Sequence, residues 1–186
     1  PLTDYSKFKA ECENIMLNEF KDNKTITVVR PATVCGYSRR QRFDLVVNIL
    51  TGHALVNKQI RVFGGAQFRP NLHIKDMVRA YLSVLTANHD SVHREIFNIG
   101  SKNLTVTEIA EAVQKVIDPK IPIEYVETND LRSYRVDSSK ILTKVGFAPE
   151  LTVNDAISEL KSNFSKFESV NPFEDSRYIN ILTMKE

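Results

Sequence analysis

The chain has 186 residues, 42% hydrophobic and 26% charged, and 25 Lys and Arg against 23 Asp and Glu leave a formal net charge of +2. Such a chain can enclose one apolar core or most of one, which excludes a disordered or low-complexity sequence, and its charge is too small and dispersed to announce a nucleic-acid partner. No run approaches the roughly 18 apolar residues of a membrane span and no basic segment precedes an apolar one at the start, so no membrane partner is expected and the default compartment is cytoplasmic.

On a helix at about 100° per residue, Tyr5, Phe8, Cys12, Ile15, Met16 and Phe20 fall on one apolar face, and Lys9 lies inside that stripe. Residues four apart on a helix are neighbours, so the Lys9 ammonium and the Tyr5 phenol are expected to converge on one pocket. A phenol ordinarily titrates at about pH 10 and a fixed cation nearby favours its anion, so the pair can accept a proton. Taken alone, the same spacing also describes a core tyrosine beside a snorkelling lysine. Cys12 and Cys35 are the two cysteines, which indicates neither a disulfide framework nor a zinc cluster, and no metal is expected.

After the polar break at residues 21–24 comes a β-branched run, residues 25–30, stopped by Pro31, which predicts a strand in a sheet covered on both faces. Residues 32–42, with Gly36, Ser38, Arg39, Arg40 and Arg42, read as a loop leaving the carboxyl end of that strand, the edge where ligands bind in open α/β sheets. The helical spacing of Phe43, Val46, Val47 and Leu50 predicts a helix closed by Thr51 and Gly52, and residues 60–63 a strand ending at the Gly64-Gly65 turn. Residues 69–76 read as an extended piece entering a helix capped by Asp76, with Met77, Val78, Tyr81, Val84 and Leu85 on its inner face. Residues 95–100 form another strand with its stop, and Thr105-Val106-Thr107-Glu108 is a capping box opening a helix through Ile109, Ala112, Val113 and Val116. A strand over 122–126, a short helix over 137–145 closed by Gly146 and an amphipathic helix over 152–167 follow, and the tail 168–186 reads as a docking segment.

Tyr5 and Lys9, Arg30-Pro31-Ala32-Thr33-Val34-Cys35-Gly36, Arg69-x-x-x-His73-Ile74-x-Asp76, Phe97-Asn98-Ile99-Gly100 and Asp137-x-Ser139-Lys140 occur in one order. That set resembles the extended short-chain dehydrogenase/reductase family, specifically its NAD-dependent epimerases and dehydratases of nucleotide sugars, from Tyr5 to about residue 160. The resemblance implies an α/β fold: the C-terminal part of a doubly wound Rossmann-type parallel sheet plus a small substrate-binding lobe. Residues 1–31 and 71–118 would belong to the NAD-binding domain, 32–70 and 119–167 to the lobe, and 168–186 to a C-terminal tail. The glycine-rich, phosphate-cradling half would lie upstream, because Gly36, Gly52, Gly64, Gly65, Gly100 and Gly146 form no G-x-x-G-x-x-G.

The resemblance also implies residue roles. Tyr5 transfers the proton, Lys9 supports it and bonds the cofactor ribose, and Pro31 and Ala32 supply strand-end backbone beside the nicotinamide. Arg69 contacts the nucleotide diphosphate, for which a guanidinium fork suits phosphate oxygens. Arg132, Thr33, Arg42 and Asn48 complete the substrate set, while His73 and Asp76 are local supports. Thr33 stands where many relatives carry asparagine, Cys35 where tyrosine or phenylalanine is usual, and Glu127 where a diphosphate-binding arginine often lies, so Arg39, Arg40 and Arg42 are read as compensating. The implied cofactor is NAD or NADP, and the implied partners are a nucleotide sugar and, in a longer parent protein, a second copy. The implied activity is epimerisation or dehydration of a nucleotide-diphosphate sugar by Tyr/Lys-assisted hydride transfer at a sugar carbinol. An NADPH-dependent keto-sugar reductase and a non-catalytic nucleotide-binding regulator are the alternatives. The 186 residues by themselves are expected to be inactive.

Overall fold

The computed structural model describes residues 3–19, 24–129, 132–167 and 171–184; Phe20, Lys21, Asp22, Asn23 and the start of the tail at residues 168–170 lie outside them. In chain order the elements are α1 (Asp4–Asn18), β1 (Thr27–Pro31), β2 (Thr33–Cys35), α2 (Val46–Val56), β3 (Ile60–Phe63), β4 (Phe68–His73), α3 (Ile74–Thr86) and α4 (His89–Val92). There follow β5 (Glu95–Ile99), β6 (Asn103–Thr105), α5 (Val106–Ile117), β7 (Ile123–Val126), α6 (Ser139–Val145), α7 (Val153–Asn163), a 3₁₀ turn (Phe164–Lys166) and α8 (Asn180–Thr183). Among the described residues no helix is long and apolar enough to cross a membrane.

Parallel pairing dominates, as expected for an α/β chain. β1 pairs with β5 from Thr27 opposite Glu95 to Pro31 opposite Ile99, β2 with β4 from Thr33 opposite Asn71 to Cys35 opposite His73, and β3 with β7. β6 adds antiparallel on the other side of β4. Parallel strands need helices over their faces, and two apolar clusters supply them. One joins Val47, Leu50 and Ala54 of α2 to Ile60 and Val62 of β3, Ile109 and Val113 of α5, and Ile157 of α7. The other joins Leu72, Met77, Ala80, Phe97, Ile99, Ile141 and Phe147. The capping box at Thr105 and Glu108 opens α5 as expected, a second one at Thr152 and Asp155 opens α7, and Gly146 closes α6 in the left-handed region at φ 75°.

Several expectations are corrected. Residues 33–35 are a strand rather than loop, because the β-branched Thr33 and Val34 find the free edge of β4. α2 begins at Val46 and runs through Gly52 to Val56; that glycine is a close approach rather than a stop, since a Cβ there would lie 2.9 Å from Phe173 Cζ. The cap of α3 is His73, whose side chain accepts the Lys75 N–H at 3.2 Å, and not Asp76. Asp76 is instead buried, accepting the backbone N–H groups of Glu150 and Leu151 at 3.0 and 2.8 Å and Arg79 Nη1 at 2.6 Å. The buried stripe of α3 is Asp76, Met77, Ala80 and Val84, whereas Val78, Tyr81 and Leu85 are exposed, because the small Ala80 sets the docking face. The apolar face of α1 has no buried residue; the helix is tied down by the Glu13–Arg30 ion pair and by Arg94 donating to the Leu17 carbonyl.

Candidate functional site

Two clefts flank the start of α2. The larger, about 550 Å³, takes Arg61 and Phe63 from β3, Gln67 and Arg69 around the turn into β4, Thr128 and Arg132 after β7, Asp44 from the loop before α2 and His53 from α2 itself. Its lining residues Phe63 and Gln67 flank the Gly64-Gly65 turn, where φ is +78° and +125° and a Cβ on Gly65 would sit 2.5 Å from Thr107 Oγ1. Gln67 staples that turn, its Oε1 accepting the Gly65 N–H at 2.6 Å and its Nε2 donating to the Phe63 carbonyl at 2.7 Å.

Arg69 and Arg132 are far apart in sequence and are brought to the same cleft by a strap of contacts. Arg69 donates to the Phe68 carbonyl at 3.0 Å and to the Arg132 carbonyl; the Phe68 N–H donates to Ser133 Oγ at 3.0 Å; and the Arg135 guanidinium lies 3.8 Å from the Phe68 ring centroid. Segment 132–135 thereby lies along β4, and Arg69 and Arg132 join Arg61 in lining one cavity.

The smaller cleft, about 290 Å³, is lined by Val34, Cys35, Gly36, Arg40, Arg42, Asn48 and their neighbours. Asn48 is buried and its amide is engaged: Oδ1 accepts the Gly36 N–H at 3.2 Å and Nδ2 donates to the Arg42 carbonyl at 2.9 Å. Arg42 grips Asp44 bidentately, at 2.9 and 3.0 Å. Burial alone would push the Asp44 carboxyl up, but the bonds from Arg42 and the Asn180 N–H outweigh it and hold the group below its ordinary value. Burial, reinforced by Glu159, pushes the Cys35 thiol up to about 12, so this sulfur is an inert wall of the cleft and not a nucleophile. Thr33 is half-buried on β2.

Tyr5 and Lys9 line neither cleft. They meet each other on α1, with Lys9 Nζ 5.8 Å from the Tyr5 ring centroid, and Tyr5 is 73% exposed. Pro31 and Ala32 lie at the carboxyl ends of β1 and β5, where the Ala32 N–H donates to the Ile99 carbonyl at 2.7 Å. A Cβ on Gly100 would approach Ala32 Cβ to 3.3 Å and Val136 Cγ1 to 3.5 Å, and the Gly100 N–H donates to Ser138 Oγ at 2.8 Å, so the small residues let segment 136–138 pack closely over these strand ends.

Residues 1–100 match the family described as NAD dependent epimerase/dehydratase, which is more than half of the chain. The chain belongs to the NAD-dependent epimerase/dehydratase family. It is 24% identical over 176 residues to dTDP-glucose 4,6-dehydratase of Haemophilus influenzae, covering 86% of this chain and 51% of that protein. It is also 27% identical over 124 residues to UDP-glucuronic acid decarboxylase 3 of Arabidopsis thaliana, covering 65% of this chain and 34% of that one. The solved dTDP-glucose 4,6-dehydratase of Bacillus anthracis, in complex with NAD, superposes with a TM-score of 0.74 at 26% identity over 90% of this chain and 54% of its own. UDP-glucuronic acid 4-epimerase of Bacillus cereus shares the fold at a TM-score of 0.76 and 23% identity. This family member thus spans about half the length of the solved relatives it matches.

Tyr5 and Lys9 stand exposed on α1, Ala32 and Gly100 are buried where β1 and β5 end, and the sequence contains no glycine-rich cradle for a dinucleotide's pyrophosphate. Asp44, His53 and Gln67 are cleft residues that the sequence reading did not single out. Asp44 carried one signal, an acid two positions after Arg42 in a loop otherwise basic.

Proposed function

We propose that this chain carries the proton-transferring pair and the nucleotide-sugar lobe of an NAD(P)-dependent epimerase or dehydratase acting on a nucleotide-diphosphate sugar. The observation that carries the reading is the convergence of Arg69 and Arg132 on the larger cleft. Guanidinium forks match pairs of phosphate oxygens, and the cleft's apolar side, with Phe63, Ile49 and Val106, suits a base. The relatives' own names, a dTDP-sugar dehydratase and a UDP-sugar decarboxylase, support a nucleotide-sugar ligand.

In this reading the sugar points toward the carboxyl ends of β1 and β2. The carbinol proton passes to the Tyr5 oxygen, and Lys9, one helical turn on, orients that phenol and reaches the cofactor ribose. NAD, when bound, supplies the two-electron acceptor. Pro31 and Ala32 line its ring, Thr33 and Asn48 shape the sugar side of the site, and Arg42 adds a cation for the phosphates. The division into a cofactor domain (1–31, 71–118) and a lobe (32–70, 119–167), a homodimeric parent and a cytoplasmic location belong to the same proposal.

The test is titration of UDP and dTDP into the chain and into its Arg69→Ala variant. Loss of one hydrogen-bonding charge should weaken the bound nucleotide by about 1.5 to 3 kcal/mol. Equal affinity in the two proteins would remove Arg69 as the diphosphate anchor.

A further inference from the structure

The C-terminal segment lies beyond the family match, which ends at residue 100, and proton transfer makes no use of it. Its residues close over the loop that carries Arg40, Arg42 and Asp44. Phe43, fully buried, meets the rings of Phe164, Phe167, Phe173 and Tyr178 edge-on at 5.2 to 6.1 Å, and its N–H donates to the Tyr178 carbonyl at 2.9 Å. Phe173 also stacks on His53 at 3.9 Å, over the α2 turn that Gly52 leaves open.

The polar contacts are more specific than the apolar ones. The Asn180 N–H donates to Asp44 Oδ2 at 3.2 Å, and Arg40 Nη2 donates to Asn180 Oδ1 at 3.0 Å. Asp44 in turn receives both prongs of Arg42. Because Asp44 lines the larger cleft and Arg42 the smaller, a single run of bonds from Asn180 through Asp44 to Arg42 reaches both.

We propose that residues 171–184 are a positioning strap for the anion-binding loop. Asn180 fixes the Asp44 carboxylate, Asp44 fixes the Arg42 guanidinium, and the seated tail thereby sets the affinity for the substrate's diphosphate. The proposal rests on the reading of these clefts as a nucleotide-diphosphate site. It makes Asp44 and Asn180 positioning residues, acting through Arg42.

The sign of one substitution separates this role from simple electrostatics. Asp44→Asn removes a negative charge beside the cleft, which on charge alone would tighten an anion; as the group that holds Arg42, its loss should weaken UDP and dTDP about three- to tenfold while leaving uridine and thymidine unchanged. Asn180→Pro removes the N–H at the first position of α8, where proline is tolerated, and Ile179 before it is already extended at φ −123°, ψ 105°. It should weaken the diphosphates in the same direction, whereas Asn180→Ala, which keeps the N–H, should stay near wild type. In the Asp44→Asn background Asn180→Pro should add nothing, since the N–H acts through that carboxylate.

Tighter or unchanged diphosphate binding by Asp44→Asn overturns the strap and leaves the cleft reading standing. So does an Asn180→Pro effect that falls equally on nucleosides or adds fully to Asp44→Asn. If Asn180→Pro does not fold, the sign of the Asp44→Asn effect decides alone. A wild-type chain that binds neither UDP nor dTDP overturns the cleft reading, and the strap with it.

Discussion

At residue scale, Tyr5 and Lys9 are held by their own helix alone, the ammonium over the ring and both side chains exposed. In the proposed function, proton transfer by this pair therefore depends on what the exposed face of α1 meets in a longer protein. In a longer protein with measurable turnover, Tyr5→Phe should lower kcat by a factor of about 10² to 10⁴, the worth of a positioned acid-base group, with KM for the nucleotide sugar little changed. Turnover near wild type would return Tyr5 to an ordinary surface tyrosine. Arg69 and Arg132 were singled out only through motif resemblance, whereas Asp44 carried no more than the weak signal of an acid two positions after Arg42. An acid beside an arginine in a polar loop looks solvated, and only the fold reveals that an N–H from residue 180 and a buried phenylalanine hold it in place.

At the scale of elements, α3 shows how a cap creates pH dependence. His73 Nδ1 accepts the Lys75 N–H, so a proton on that nitrogen ends the cap. Glu159, Lys75, Asp76 and Asp155 face the ring; Glu159 Oε2 lies 3.2 Å from Nε2 without the alignment of a hydrogen bond. Burial is the largest influence and lowers the His73 value below the ordinary imidazole range. The unfolded chain therefore binds the proton first. The stability that neutral His73 contributes is present above about pH 6.5 and is lost as pH falls below it through the folded-state value. His73→Asn keeps a capping acceptor and does not titrate, so urea unfolding at pH 7 and pH 5 should show a smaller drop for the variant than for wild type. The flattening is partial because His53, also lowered by burial and by Arg61, titrates in both proteins. Identical drops would exclude His73 as a contributor. The α5 capping box and the Gly146 stop were readable because their signals are local. β2 and the length of α2 were not, because a three-residue strand needs its partner β4 and Gly52 answers to Phe173, 121 positions away in the chain.

For the whole molecule, the α/β class and most helices follow from periodicity, but the pairing of β1 with β5, β2 with β4 and β3 with β7 joins segments that no local pattern relates. That pairing sets the ends of β3 and β4 beside segment 132–135 and thus builds the arginine-lined cleft within this chain, while the sequence has no glycine-rich turn to hold a dinucleotide's pyrophosphate. The two ligands should separate cleanly. The most direct measurement is calorimetric titration of the chain with UDP or dTDP and, separately, with NAD. The expected result is measurable nucleoside-diphosphate binding that weakens as salt is raised, and NAD binding weaker than micromolar; micromolar NAD affinity, or no binding of either diphosphate, would contradict it.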